Sequence, residues 1–179
     1  MHKEIPKEEF YRLINHGPCV IISSGDDKKA NIAPVAWKMP LNDDPPLVAV
    51  ALSEDGYTAE LISATGTFVV NVPDSDLLAS LLGAGKVSGR DTDKIKRFGA
   101  RMANGEKIKT PHLADAVGWI ECETRDKRIY EGVALFTAKV LYAAVDDGAY
   151  DGYLDPSKRP TVHHLGGGWF AQATKRIKL

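Results

Sequence analysis

Gly25-Asp-Asp-Lys-Lys-Ala-Asn-Ile-Ala-Pro-Val-Ala-Trp-Lys-Met-Pro-Leu-Asn-Asp-Asp-Pro-Pro46 is the stretch around which the 179-residue chain is organised. Before it runs Cys19-Val-Ile-Ile-Ser-Ser24, apolar and β-branched, and Gly25-Asp-Asp-Lys28 has the residue types of a hairpin turn, so two strands meet here. The second strand contains Pro34. A proline has no N–H to give a ladder, so this part of the strand is an edge, a bulge or a place where the ladder opens. Something other than a neighbouring strand is expected to face it. Around the proline stand Asn31, whose amide both donates and accepts, the small Ala33 and Ala36, which let a flat molecule approach the backbone, and the large ring of Trp37. Pro45-Pro46 reset the chain direction, and Leu47-Val-Ala-Val-Ala-Leu52 is a third apolar run.

The size suits one domain, residues 1–179, with a real core. With 23 basic against 24 acidic residues, the net charge of -1 gives no electrostatic reason to expect nucleic acid or an anionic membrane as partner. The basic Lys175-Arg-Ile-Lys178 reads as a solvated tail. The first residues lack the apolar stretch of a signal peptide and no run is long enough to span a bilayer, so the expectation is a cytoplasmic protein. Cys19 and Cys122 each lie in an apolar strand pattern without a CxxC motif, which reads as buried reduced thiols; a redox pair would need a lowered thiol pKa, and nothing nearby suggests one.

Along the chain, Pro6, Phe10, Leu13 and Ile14 predict a short amphipathic helix over 6–15. The strands at 19–24, 30–37 and 47–52 are so continuously apolar that both faces should be covered. A helix over 59–64 follows, with Thr58 or a residue just before it as cap, and its outward-pointing first amides are a candidate phosphate site or simply a capped end. Thr67-Phe-Val-Val-Asn-Val72 is a fourth strand, in which Asn71 reads equally as a strand-end turn former or a ligand contact. Asp74 and Ser75 cap a helix whose Leu77, Leu78, Leu81 and Leu82 form a stripe for the core or a dimer interface. Ser88-Gly-Arg-Asp-Thr-Asp-Lys94 offers a hydroxyl, backbone amides and two cations, either for an anion or as a solvated turn before the helix at 94–98.

Further on, Trp119, Glu121 and Glu123 alternate with Ile120, Cys122 and Thr124, which predicts a strand with one wet face. A last long strand covers 132–142. The segment 146–161 is a long loop of the kind that is functional or interfacial. His163 and His164 are neighbours on a strand, hence on opposite faces, with no third ligand at metal spacing. Gly166-Gly-Gly-Trp-Phe170 reads as a close-approach turn that delivers aromatics. Six or seven strands with a few short helices and no strand-helix-strand rhythm fit a mainly β, small closed or split barrel, with core at about 18–145 and a C-terminal loop and tail at 146–179.

The pieces Asn31-x-Ala-Pro-x-x-Trp37, Pro45-Pro46, Phe68-Val-Val-Asn-Val-Pro73 and Ser88-Gly-Arg-Asp-Thr-Asp-Lys94, in this order, resemble the flavin reductase-like family of FMN-binding split barrels, and its flavoredoxin branch most closely. The resemblance covers about Gly17 to Phe170. It implies an antiparallel, Greek-key-like split β-barrel, an FMN cofactor and a homodimer. It also implies an NADH- or NADPH-dependent oxidoreductase passing electrons to an acceptor the sequence does not name. By the same resemblance Ser53 and Thr58 go to the phosphate end, Asn31 and Trp37 to the ring and ribityl region, and Ser88 and Lys94 to the reduced anionic flavin or its phosphate. Asn71 joins the cofactor set, backbone amides near Val35, Ala36 and Leu52 go to the ring carbonyls, and Phe170 packs at the edge. No catalytic side chain and no metal are implied, because the cofactor carries the chemistry. One departure stands out: relatives commonly carry Gly-His where this chain has Gly132-Val133. The rival readings are a non-catalytic FMN carrier, and a split barrel for another planar ligand such as haem or a pyridoxal phosphate compound.

Overall fold

Consecutive strands at the two far edges of one sheet decide the architecture. The computed structural model describes residues 17–178, so the helix expected at 6–15 lies outside them. The first five strands are β1 (Val20–Gly25), β2 (Ala30–Val35), β3 (Lys38–Asp43), β4 (Pro46–Ser53) and β5 (Thr67–Val72), with helix α1 (Tyr57–Thr65) between the last two. Helices α2 (Ser75–Leu81) and α3 (Lys94–Phe98) and the short strands β6 (Met102–Ala103) and β7 (His112–Leu113) lead to a long hairpin of β8 (Gly118–Tyr130) and β9 (Val133–Val145). Strands β10 (Thr161–Gly166) and β11 (Trp169–Ala173) close the chain. Seven strands form an antiparallel sheet in the order β2-β1-β5-β8-β9-β4-β3. Its two edges, β2 and β3, are separated in sequence by Ala36 and Trp37 alone. Two residues cannot span a flat seven-stranded sheet at nearly 5 Å per strand, so the sheet curls until its edges meet. Pro34 accordingly sits on an edge strand, as its missing N–H requires.

Strand β1 is buried throughout and serves two cores. Val20 and Ile22 point into the barrel with Val50, Phe68 and Phe136, while Cys19 and Ile21 face Ile32, Leu78, Leu81 and Leu113 outside it. Each such side chain contributes roughly 1.5–3 kcal/mol by leaving water. The both-faces-covered expectation holds for β1 and only in part for β4, where Ala49 and Val50 are buried and the flanking residues are not. Asp74 caps α2 by accepting from the Leu77 N–H at 2.9 Å, and the helix drives Leu78 and Leu81 into the second core. These two leucines are therefore not available as a dimer surface.

The wet face expected on β8 is covered at Glu121 and Trp119, while the Glu123 side chain stays 44% exposed. Glu121 is fully buried, and its carboxylate accepts the backbone N–H groups of Glu106 (2.7 Å), Lys107 (2.7 Å) and Ile108 (3.2 Å). Trp119 stacks on His112 with ring centres 3.9 Å apart. The cover is the chain between β6 and β8, irregular at 106–108 and a two-residue strand at β7, too short to announce itself by periodicity. Burial pushes the Cys122 thiol up to about 12 and raises Cys19 as well, so both are protonated and unreactive. In the C-terminal part, the strand read at His163 and His164 is β10, and the turn read at 166–170 leads it back into β11. β10 and β11 form a hairpin, joined to the body where the Cys19 N–H donates to the Val162 carbonyl at 2.7 Å.

Candidate functional site

The seam between β2 and β3 runs directly into the start of α1. The Ala51 N–H donates to the Trp37 carbonyl at 3.0 Å, so Trp37, half exposed, lies alongside the end of β4. From there Leu52 and Ser53 lead through a turn, closed by Gly56 N–H to the Ser53 carbonyl at 3.0 Å, into the helix. Gly56 is the N-cap and has no side chain to offer. Thr58 does not cap: it is the second helical residue, buried, and its hydroxyl accepts from the Asn31 amide at 3.0 Å. The first amides of α1 thus have no capping side chain and carry the positive end of the helix dipole, an arrangement suited to an anion.

The chain after α2 folds over that helix end. Together they enclose a cavity of about 390 Å³ walled by Gly56, Thr58, Ser88, Arg90 and Lys94 among others. Three residues singled out in the sequence, Thr58, Ser88 and Lys94, meet there. Lys94 is only 7% exposed, has no ion-pair partner among the described residues, and its pKa is lowered by burial alone. A buried cation without a counter-charge is costly, and an entering anion removes the cost. Ser88 Oγ accepts from the Arg90 N–H at 3.1 Å, which leaves its own proton for a ligand.

Arg90 itself was legible only as a second cation of the loop. It reaches Glu60 on α1 at 2.7 Å and the Asp55 carbonyl at 3.0 Å, so it clasps the loop to the helix start. Gly89 fits where no side chain can: an added Cβ would lie 2.2 Å from Asn31 Oδ1 and 2.6 Å from the Tyr57 ring. Asn31, 2% exposed, keeps that oxygen without a partner. It sits at the Thr58 end of the site, away from the Trp37 end at which it was expected.

Other expected residues lie elsewhere. Val35, Ala36, Trp37 and Leu52 line the seam rather than this cavity, and the Ser53 hydroxyl, exposed, donates to Asp55 at 2.6 Å. Asn71 is a correction. Fully buried, it donates to the Ile21 carbonyl (2.9 Å) and Ser23 Oγ (3.0 Å) and accepts from the Leu113 N–H (2.7 Å), so it ties strands together where no ligand reaches it. Phe170 packs against the second core and the His164 ring, 5.1 Å centre to centre, and is not a wall of the cavity.

A helix end, a hydroxyl and a buried unpaired lysine converge beside an open barrel seam, an arrangement suited to a phosphate. Residues 11–164 match the model of the flavin reductase like domain. The chain belongs to the flavin reductase-like family. Among its relatives is the uncharacterized Escherichia coli protein YddH, 34% identical over 99% of this chain and 98% of that one. Two solved structures share the fold of this flavin reductase-like chain. An FMN-binding protein from Thermus thermophilus has a TM-score of 0.84 at 20% identity, covering 100% of this chain and 97% of that one. The flavoredoxin of Desulfovibrio vulgaris has a TM-score of 0.83 at 21% identity, covering 92% and 90%. The split β-barrel expected from the sequence is thereby the fold of the flavin reductase-like chain.

Proposed function

We propose that this protein binds FMN and moves electrons from NADH or NADPH through it to an acceptor, as a flavin reductase or flavoredoxin. The observation that carries the reading is the meeting of the uncapped α1 start, Ser88 and the unpaired Lys94 in one cavity. Bound FMN supplies the hydride-accepting chemistry. The protein's part is to hold and orient it. Lys94 and Arg90 neutralise the phosphate, the Ser88 hydroxyl and the first amides of α1 donate to it, and the seam from Val35 to Trp37 and Leu52 offers backbone and a ring face for the flat end. Nothing in this arrangement calls for a nucleophile or a metal.

A second reading has a specific observation behind it. Val133 pairs with Ser53 at the end of β4, which puts an aliphatic side chain beside the site where flavoredoxin-like relatives commonly carry histidine. Without that imidazole the protein would serve as an FMN carrier that does not oxidise nicotinamide. An anaerobic absorbance titration separates the two: a flavin spectrum that bleaches with NADH or NADPH supports the reductase, a flavin spectrum that stays oxidised supports the carrier, and failure to retain FMN overturns both.

The protein is also proposed to be a homodimer. Met39 and Leu41 stand exposed on β3, an edge strand with an unpaired side. A monomer mass by light scattering overturns this.

A further inference from the structure

Lys94 has a property that holding a phosphate does not require. It is 7% exposed, without a counter-charge among the described residues, and burial lowers its pKa, so more of its amine carries a free lone pair than in an ordinary lysine. An amine in that state is a nucleophile. It lines the cavity at the α1 start together with Ser88, Arg90 and the uncapped end of the helix. The helix amides and the Ser88 hydroxyl donate to a phosphate, and the Arg90 guanidinium, held by Glu60 and the Asp55 carbonyl, keeps its charge throughout. A small phosphate is then held while the Lys94 amine is in its neutral form, free to react with what the phosphate carries.

We propose that Lys94 is an acylation site, modified on Nζ by acyl phosphates that dock their phosphate at the α1 start, and that the acylated cavity no longer accepts FMN. The first half rests on the anion site alone and the second on the FMN reading of the same cavity. In the step, the Nζ lone pair adds to the acyl carbon and the bond from that carbon to the phosphate oxygen breaks. Phosphate leaves with the oxygen and the electron pair, one amine proton passes to it, and nothing is oxidised or reduced. The product is a neutral amide. It removes the buried cation that a bound phosphate would meet and places the acyl group in the space the phosphate would fill. With the unpaired charge gone, the protein changes in stability in the same direction as when the lysine is replaced by an apolar chain.

The test exposes the wild-type protein, with and without added FMN or inorganic phosphate, to acetyl phosphate and separately to acetic anhydride, which transfers the same acetyl group without a phosphate. Peptide mass spectrometry reads each lysine. Lys96, exposed two residues further along α3, and Lys86, exposed on the cavity wall, are the internal comparison. With acetyl phosphate, Lys94 is acetylated at least ~10-fold faster than either, and phosphate or FMN suppresses Lys94 but not Lys96. With acetic anhydride the order reverses, because a buried amine is met less often. Lys94 leading with both reagents overturns the docking of the phosphate, and Lys94 trailing with both overturns the site. FMN titration of the acetylated protein reads the consequence: affinity falls at least ~10-fold, and unchanged affinity overturns the exclusion of FMN. If the untreated protein binds no FMN while phosphate still protects Lys94, the functional reading falls and the acylation site stands.

Discussion

Two buried asparagines flank β1, one on each neighbouring strand, and they are put to opposite uses. Asn71 on β5 has its amide protons on Ile21 and Ser23 and its oxygen on the Leu113 N–H. Asn31 on β2 gives one hydrogen bond to Thr58 and keeps its oxygen unpartnered. The same contrast holds for charges: Glu121 accepts three backbone N–H groups, whereas Lys94 meets no counter-charge among the described residues. Burial is common to all four. In these two pairs, what separates strut from site is whether the buried group's bonding capacity is used up within the fold, because an unsatisfied buried polar group costs free energy that a ligand or a water must return.

The comparison breaks first if Asn71 can be removed cheaply. Replacing it by leucine leaves the Leu113 N–H and the Ile21 carbonyl without their partner, and the expected loss is about 3 kcal/mol in urea unfolding. FMN affinity of the folded fraction stays within ~2-fold. A large loss of FMN affinity at unchanged stability would put Asn71 back in the site.

Lys94→Met gives the opposite pattern. FMN affinity falls ~10- to 100-fold by fluorescence titration, since a buried cation is taken from the phosphate. Apoprotein stability rises by about 1 kcal/mol, because an unpaired buried charge is replaced by an apolar chain of similar length. A drop in stability would mean that Lys94 has a structural bond that its surroundings do not reveal.

The pH dependence sharpens the same point. Burial lowers the pKa of Lys94 below the ordinary 10.5. As pH rises through the lowered value toward 10.5, the folded chain has lost the proton while the unfolded chain still holds it, so this lysine makes stability rise with pH across that window. Below the window the charged lysine exerts its full penalty. The stability advantage of Lys94→Met is therefore largest at the low-pH end and closes as pH rises through it. Unfolding curves of the two proteins across this range check it, and a gap that widens with pH would reverse the assignment.

How much of this was legible in the sequence follows from where each pattern gets its cause. Pro34 reports its own missing N–H, so an edge, a bulge or an opened ladder could be read there, and the sheet order makes it the edge. The Ser88–Lys94 loop carries hydroxyl and cations in one short stretch, so its chemistry was readable although Arg90's role as a clasp was not; that depends on Glu60, 30 residues away. Glu121 and Asn71 misled for a shared reason. Alternation and propensity describe a strand's own faces, and what covers or consumes a face here comes from distant sequence, the irregular chain at 106–108 for one and Leu113 of the short strand β7 for the other. Strand β3 has the same opacity, since Lys38-Met-Pro-Leu-Asn-Asp43 is held by its pairing to β4 and not by any β pattern of its own.

The smallest effect comes from Glu60→Gln, and it tests whether the clasp belongs with the struts or with the site. Arg90 and Glu60 are each about half exposed, at 46% and 55% of their side chains. An ion pair so open to water contributes about 0–1 kcal/mol, and less at high salt. The variant should thus lose under ~0.5 kcal/mol in urea, within reach only of paired measurements. Yet it takes the charge from the bond that fixes a guanidinium over the cavity at the α1 start, so FMN should weaken by ~2- to 5-fold, most visibly in the dissociation rate. Clasp and strut differ in this ratio. If Glu60→Gln cost as much stability as Asn71→Leu while FMN affinity held, the loop would be fastened for the fold's sake, and incompleteness of bonding would no longer suffice to mark the site.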